Sequence, residues 1–237
     1  MSGDPLILAL PSKGRLMEHA GEIFEAAGLT IRKTGHTRGY RGEIAGINGV
    51  EIAFLPAAEI ARQLSLGRVH AGITGADLLQ ESGAVTAGRI ELVRALGFGG
   101  ADVVVAVPEC WVDVSNMGDL EEVAAIFFRE HARRLRVATK YLNLTRRYFA
   151  EKGVTGYRIV ESLGATEGTV AAGTAELIVD ITSTGTTLKA NHLKVLDDGL
   201  ILKSEAMLAR SKLAAWPKDK QAVLEEIVLR LEADRQV

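Results

Sequence analysis

Residues 6–28 read LILALPSKGRLMEHAGEIFEAAG. The run Leu6 to Leu10 is unbroken apolar sequence of strand length, and Leu16, Ala20, Ile23, Phe24 and Ala27 then recur at helical spacing until Gly28 closes the pattern. A strand followed at once by an amphipathic helix is the opening of a βαβ unit. The order repeats downstream: Val50 to Leu55 reads as a second buried strand, Ala58 to Leu66 as a short helix, Ala71 to Thr74 as a third strand, and Asp77 to Glu81 as the start of another helix. Such alternation predicts an α/β fold with mainly parallel pairing.

The stretch Leu96 to Gly100, LGFGG, holds three glycines in five residues and permits unusual backbone angles, so it is the expected crossing between two domains. Beyond it the pattern restarts with a strand at Ala101 to Val107. A helix Leu120 to Arg134, strand Leu135 to Thr139, helix Asn143 to Lys152 and strands Tyr157 to Val160 and Leu177 to Ile181 follow. Leu193 to Ser211 alternates apolar and polar residues as extended strands do, and Val223, Ile227 and Leu231 form one stripe of a final helix.

Composition narrows the class. With 237 residues, 47% hydrophobic and 24% charged, the chain can build a sizeable packed core. The start, MSGDPLILALPSKGR, lacks the basic and apolar layout of an export signal, and charges interrupt every apolar run before the roughly 20 residues a membrane helix needs. One cysteine, Cys110, fits a reducing, cytoplasmic compartment. A net charge of −2 argues against an extended nucleic-acid surface, so any polyanion must be met locally. Lys13 with Arg15, Arg38 with Arg41, and Lys140 with Arg146 and Arg147 are the candidate cations, solvated surface charge being the ordinary alternative for each.

Residues 176–188, ELIVDITSTGTTL, carry the most chemistry: an apolar strand ends in Asp180 and opens into Thr182, Ser183, Thr184, Thr186 and Thr187 around Gly185. The hydroxyls can donate to phosphate oxygens and Gly185 lets the backbone come close. A helix starting at Thr187 would add its unpaired N–H groups. Asp180 cannot hold phosphate but suits ribose hydroxyls or a magnesium-bound water. A Thr-rich capping turn is the plainer reading of the TGT triplet alone.

Four segments together resemble ATP phosphoribosyltransferase of histidine biosynthesis in its short form: LALPSKGRL (Leu8 to Leu16), AGITGADLL (Ala71 to Leu79), ATKYLNLTRRYF (Ala138 to Phe149) and LIVDITSTGTTLKAN (Leu177 to Asn191). The resemblance implies a two-domain, type II periplasmic-binding-protein-like fold with the active site in the interdomain cleft. Domain I is then 1–97 with 193–237, and domain II is 98–192 with the phosphoribosyl pyrophosphate loop. It implies attack by N1 of the adenine of ATP on C1 of phosphoribosyl pyrophosphate, with Mg2+ present. No nucleophilic constellation is visible, Cys110 being isolated and the five histidines scattered, and such a displacement needs positioning and charge stabilisation instead.

By the same resemblance Lys13 and Arg15 are ligands of substrate phosphates or pyrophosphate, Tyr141 stacks on adenine or is simply a half-buried loop tyrosine, and Glu167 joins Asp180 on the ribose hydroxyls. In AGITGADLL, Gly72 and Gly75 bracket Thr74, Gly75 offers a backbone contact to ATP, and Asp77 caps the next helix. The chain departs from the family at GATE, residues 164–167, where members carry a GSVE-like run. It departs again at Leu55 and Pro56, where many have an arginine and an aspartate ahead of a proline. Arg38 or Arg41 in TRGYRGE is the natural substitute for that arginine, two surface arginines being the alternative. Trp216 to Val237 reads as one amphipathic helix, too short for a regulatory domain of about 50 residues. The resemblance therefore implies a homodimer that works with a histidyl-tRNA-synthetase-like regulatory subunit. The rival readings are a solute-binding protein of the same architecture and a base-salvage phosphoribosyltransferase; the latter usually has two adjacent acidic residues where this chain has Asp180 and Ile181.

Overall fold

A computed structural model describes residues 4–34 and 40–233. The chain divides into two compact units, one holding residues up to Gly99 and from Glu205 onward, the other Gly100–Ser204. Each is built on one sheet, and this two-unit α/β architecture is the type II binding-protein fold.

In the first unit, β1 (Leu6–Pro11) lies parallel between β4 (Val50–Leu55) and β5 (Ala71–Gly75), and the full order is β2-β3-β4-β1-β5-β12-β6. The outer members are β2 (Ile31–Thr34), β3 (Arg41–Ile44), β6 (Ile90–Ala95) and β12 (Ala206–Ser211). Period-two alternation explains why the first run has no polar position. Leu6, Leu8 and Leu10 pack with Ala20 and Phe24 of α1 (Arg15–Ala26) and with Leu224, Ile227 and Leu231 of α8 (Lys218–Ala233). Ala9 packs with Ile60, Ala61 and Leu64 of α2 (Ala57–Ser65) and Leu79 of α3 (Ala76–Glu81). Burying one such leucine or phenylalanine contributes about 1.5–3 kcal/mol, so both faces of β1 must be apolar. The carboxyl ends of β1, β4 and β5 emerge along one sheet edge, where α/β sheets present their functional loops.

The second sheet has the order β11-β7-β10-β8-β9. Here β8 (Leu135–Thr139), β9 (Tyr157–Glu161) and β10 (Leu177–Thr182) are mutually parallel, while β7 (Ala101–Pro108) runs antiparallel to both β10 and β11 (Leu193–Ser204). Asn116 caps α4 (Met117–His131), its Oδ1 accepting from Gly118 and Asp119 N–H at 2.8 and 3.1 Å. α5 (Leu142–Glu151) follows β8 directly. Glu176 fixes the alignment of β8 with β10, because its carboxylate accepts from the Arg136 backbone N–H and Nη2, both at 2.6 Å, and from Arg133 at 3.1 Å. Burial alone would push this carboxyl up, but the Arg136 and Arg133 hydrogen bonds outweigh it and hold its pKa at about 2.

Both domain boundaries shift from those expected. Leu96 N–H still bonds Ala206 O and Phe98 O still accepts from Ala206 N–H, so the chain leaves the first unit after Gly99 rather than after 97. Residues 193–204 were expected in domain I, yet they pair with β7 from Leu193↔Pro108 to Ser204↔Ala101 and belong to the second unit. Alternation along 193–211 marks strands without saying which sheet receives them. The β2–β3 hairpin and β6 are further strands, beyond those the apolar runs predict.

Candidate active site

The Thr-rich loop leaves the second sheet at the carboxyl end of β10, whose apolar half Leu177, Ile178 and Val179 is fully buried between β7 and β8. Gly185 stands in the left-handed region with φ 72° and heads the short helix α7 (Thr186–Ala190). Its N–H donates to Thr182 Oγ1 at 2.9 Å and its carbonyl accepts from Lys189 N–H at 3.0 Å. The Thr184 and Thr186 hydroxyls are 2.8 Å apart, and Asn191 Nδ2 donates to Thr187 O at 2.9 Å. The loop is thus stapled on itself, while Ser183, Thr184, Thr186 and Thr187 remain exposed. A Cβ placed on Gly185 would meet no protein atom within 4 Å, so the space in front of the glycine is open.

Asp180 is half-buried beside this loop. Its Oδ1 accepts from Ile181 N–H at 2.8 Å and lies 3.8 Å from Lys140 Nζ. Burial raises the pKa of this carboxyl, the Ile181 N–H and Lys140 oppose the rise, and the charge of Glu167 adds to it. Glu167 sits at the start of α6 (Gly168–Ala171), just after Ala165, which takes a positive φ of 47°. Lys140, Glu167, Asp180 and Thr182 to Thr187 therefore all lie on the segments that follow or end β8, β9 and β10, at one edge of the sheet.

Tyr141 does not fit adenine stacking. The residue is 1% exposed, inside the turn into α5, with its N–H on Thr139 Oγ1 at 2.8 Å. Its ring is part of the core, and Lys140 Nζ stands 5.0 Å from its centroid. Arg146 and Arg147 lie outward on α5, Arg147 facing Glu151 at 3.9 Å. Lys140 stands apart from those two, beside Asp180. The register of two adjacent parallel strands is the signal that singles it out.

In the first unit, Lys13 and Arg15 are exposed at the carboxyl end of β1, around Gly14 with φ 73°. Leu55 and Pro56 end β4 on the same edge, and Gly75 ends β5 there and heads α3. Gly75, not Asp77, holds the capping position; Asp77 is buried in the first turn, where a carboxylate favours the helix dipole. Arg41 begins β3 and forms an ion pair with Glu51. Arg38 lies outside the described residues. Among the described residues no three histidine, cysteine or carboxylate side chains converge as a metal site, and no helix is long and apolar enough to cross a membrane.

The two-unit α/β architecture has counterparts among solved structures. Its solved likenesses include the "substrate binding protein of an amino acid ABC transporter", at TM-score 0.54 and 14% identity over 98% of this chain and 93% of that one. A nearer fold is a chain of the "ATP phosphoribosyl transferase (HisG:HisZ) complex" from Thermotoga maritima, at TM-score 0.74 and 24% identity over 97% of each chain. The sequence is more specific. The HisG family model, described as ATP phosphoribosyltransferase, matches residues 56–233. An ATP phosphoribosyltransferase of Rhodopseudomonas palustris (strain BisB18) is 57% identical over 235 residues, covering 98% of this chain and 72% of the relative. One from Bradyrhizobium sp. (strain ORS 278) is 56% identical, covering 99% and 73%. The chain belongs to the ATP phosphoribosyltransferase family.

Proposed function

We propose that this chain transfers the phosphoribosyl group of phosphoribosyl pyrophosphate to N1 of the adenine of ATP, giving phosphoribosyl-ATP and pyrophosphate, the first step of histidine biosynthesis. The observation that carries the reading is the left-handed Gly185 at an open, hydroxyl-lined turn after β10, in a chain of this family. The 5-phosphate of the donor sits on the hydroxyls and N–H groups from Thr182 to Thr187. Asp180 and Glu167 accept from the ribose hydroxyls. Lys13 and Arg15, with the Gly75 backbone, take the phosphates of ATP.

The adenine N1 supplies the attacking electron pair, so the protein needs no nucleophile of its own. What it supplies is alignment of N1 with C1 and negative charge near the cationic ribose as the C1–pyrophosphate bond breaks. Magnesium bound with the donor would neutralise the charge of the pyrophosphate, and Asp180 would be placed to accept from a water on it. Arg38 or Arg41 is proposed to meet the leaving group in place of the cation missing at Leu55, and Arg41 must then exchange Glu51 for pyrophosphate.

The deciding experiment measures pyrophosphate release from the donor with ATP, adenine, hypoxanthine, guanine, uracil and orotate in turn. Release with ATP alone is expected. Release with a free base and none with ATP would replace this reading with base salvage, and no release with any of them, with the regulatory subunit added as well as without it, would leave a binding protein.

We further propose the short-form arrangement: a cytoplasmic homodimer that assembles with a regulatory subunit resembling histidyl-tRNA synthetase. The similarity of fold to a chain of the Thermotoga maritima HisG:HisZ complex supports a two-component assembly. The isolated chain is then expected to be a dimer of low activity that ignores millimolar histidine. Adding that subunit should raise the rate and confer histidine inhibition together. Steady-state rates with and without the subunit, each titrated with histidine, check this; inhibition of the chain alone would overturn it.

A further inference from the structure

We infer that Lys140 is a positioning residue for the donor: its ammonium group holds Asp180 as a carboxylate with Oδ2 left for the ribose hydroxyls. The inference rests on the reading of Asp180 as a donor ligand.

The placement comes from the sheet. β8 and β10 are adjacent and parallel with Leu177↔Val137 and Ile178↔Ala138 in register, and carrying that register forward sets Lys140 level with Asp180. Lys140 Nζ stands 3.8 Å from Asp180 Oδ1. The Ile181 N–H, at 2.8 Å, falls on the same oxygen. Both contacts are on Oδ1, which orients the carboxylate and leaves Oδ2 uncommitted among the described residues. The ammonium is itself located by the buried Tyr141 ring, 5.0 Å away. Tyr141 thus serves the site as a floor for Lys140.

The need for a cation is electrostatic. Asp180 is half-buried, and both that burial and the charge of Glu167 favour its protonated form. Glu161 at the end of β9 and Asp102 of β7, paired with Thr182 of β10, are further carboxylates on this edge among the described residues. A proton on Asp180 would remove acceptor capacity that the ribose hydroxyls require. Lys140 is the cation whose field opposes it.

The test is calorimetric titration of the full chain with phosphoribosyl pyrophosphate from about pH 5.5 to 8.5, for wild type, Lys140→Met, Lys140→Arg and Asp180→Asn. Titration of the donor's own phosphate is common to all and cancels in the ratios. Lys140→Met is expected to weaken donor binding severalfold at the acid end, with the gap closing as the pH rises, because a neighbouring opposite charge acts by favouring the ionised form. Lys140→Arg should stay within about threefold of wild type, since a guanidinium keeps the charge. Adding Lys140→Met to Asp180→Asn should cost nothing further. A loss with Lys140→Met that is the same at every pH, or no loss, overturns the inference, the first outcome meaning only general attraction for a polyanion. Donor binding by Asp180→Asn equal to wild type would instead refute the assignment of Asp180 to the donor. Lys140 has a side chain 38% exposed, and thermal melts confirm that each variant is folded before it is titrated.

Discussion

Gly185→Val is expected to reduce turnover by about a thousandfold or more while the protein stays folded. Gly185 has φ 72°, where a β-branched residue is strained by about 1–3 kcal/mol. Relief of that strain would pull the Gly185 N–H away from Thr182 Oγ1, the bond of 2.9 Å that closes the turn. The new side chain crowds no protein atom, since nothing lies within 4 Å of the added Cβ; it fills the open space that the phosphate needs. Loss of the phosphate anchor removes binding energy that aligns C1 with the adenine, which is why kcat falls along with donor affinity. Turnover, donor titration and a thermal melt should be measured together. A melt within a few degrees of wild type with activity gone is the expected pattern; normal turnover would take the phosphate off this loop. Gly185→Ala should be milder, because Ala lacks both γ-methyls of valine and so fills less of the open space and is less strained at positive φ.

Gly72→Val is expected to have the opposite profile, costing stability first. Gly72 lies inside β5, and a Cβ there would stand 2.7 Å from Ile60 Cγ2 of α2 and 3.1 Å from both Cβ and O of Ala9 on β1. The Ala9 carbonyl is backbone in the sheet and cannot retreat, so α2 must lift from the sheet. Overpacking of this kind costs about 1–3 kcal/mol for a single added group, and more when backbone is the obstacle. For a chain of this length that is a fall in melting temperature of about 5 °C or more. Differential scanning calorimetry checks it. An unchanged melt would mean that α2 is not seated on β5 as described. The glycine of AGITG that matters for packing is therefore Gly72, whereas Gly75 turns the chain from β5 into α3.

Much of the architecture was legible because local chemistry and burial agree. Leu6 to Leu10, Val103 to Val107 and Leu177 to Val179 are unbroken apolar runs, and the part of a strand that lies in the middle of a sheet covered by packed side chains has no place for a polar residue, Asp102 and Asp180 standing towards the strand ends. The stripe Leu16, Ala20, Ile23, Phe24 and Ala27 is the face of α1 that meets the sheet. The hairpin strands β2 and β3 are hard to read in the sequence because each is only four residues long, β2 is largely exposed, and Ile44 is the one buried apolar side chain of β3.

By itself, then, the sequence determined the α/β class, the succession of central strands along the chain and the Thr182 to Thr187 turn, since a hydroxyl-rich run around a glycine after a buried strand is a local property of consecutive residues. Only the tertiary structure decided that Leu193–Ser204 joins the second sheet, that Tyr141 is core, that Arg41 is paired with Glu51, and that Lys140 faces Asp180. Each of these depends on which distant segment lies alongside. Alternation records that a strand has an inside and an outside, and a lysine or tyrosine at a strand end looks the same whether its neighbour is water or a carboxylate forty residues away. That neighbour is chosen by the register of β8 against β10, which long-range packing sets.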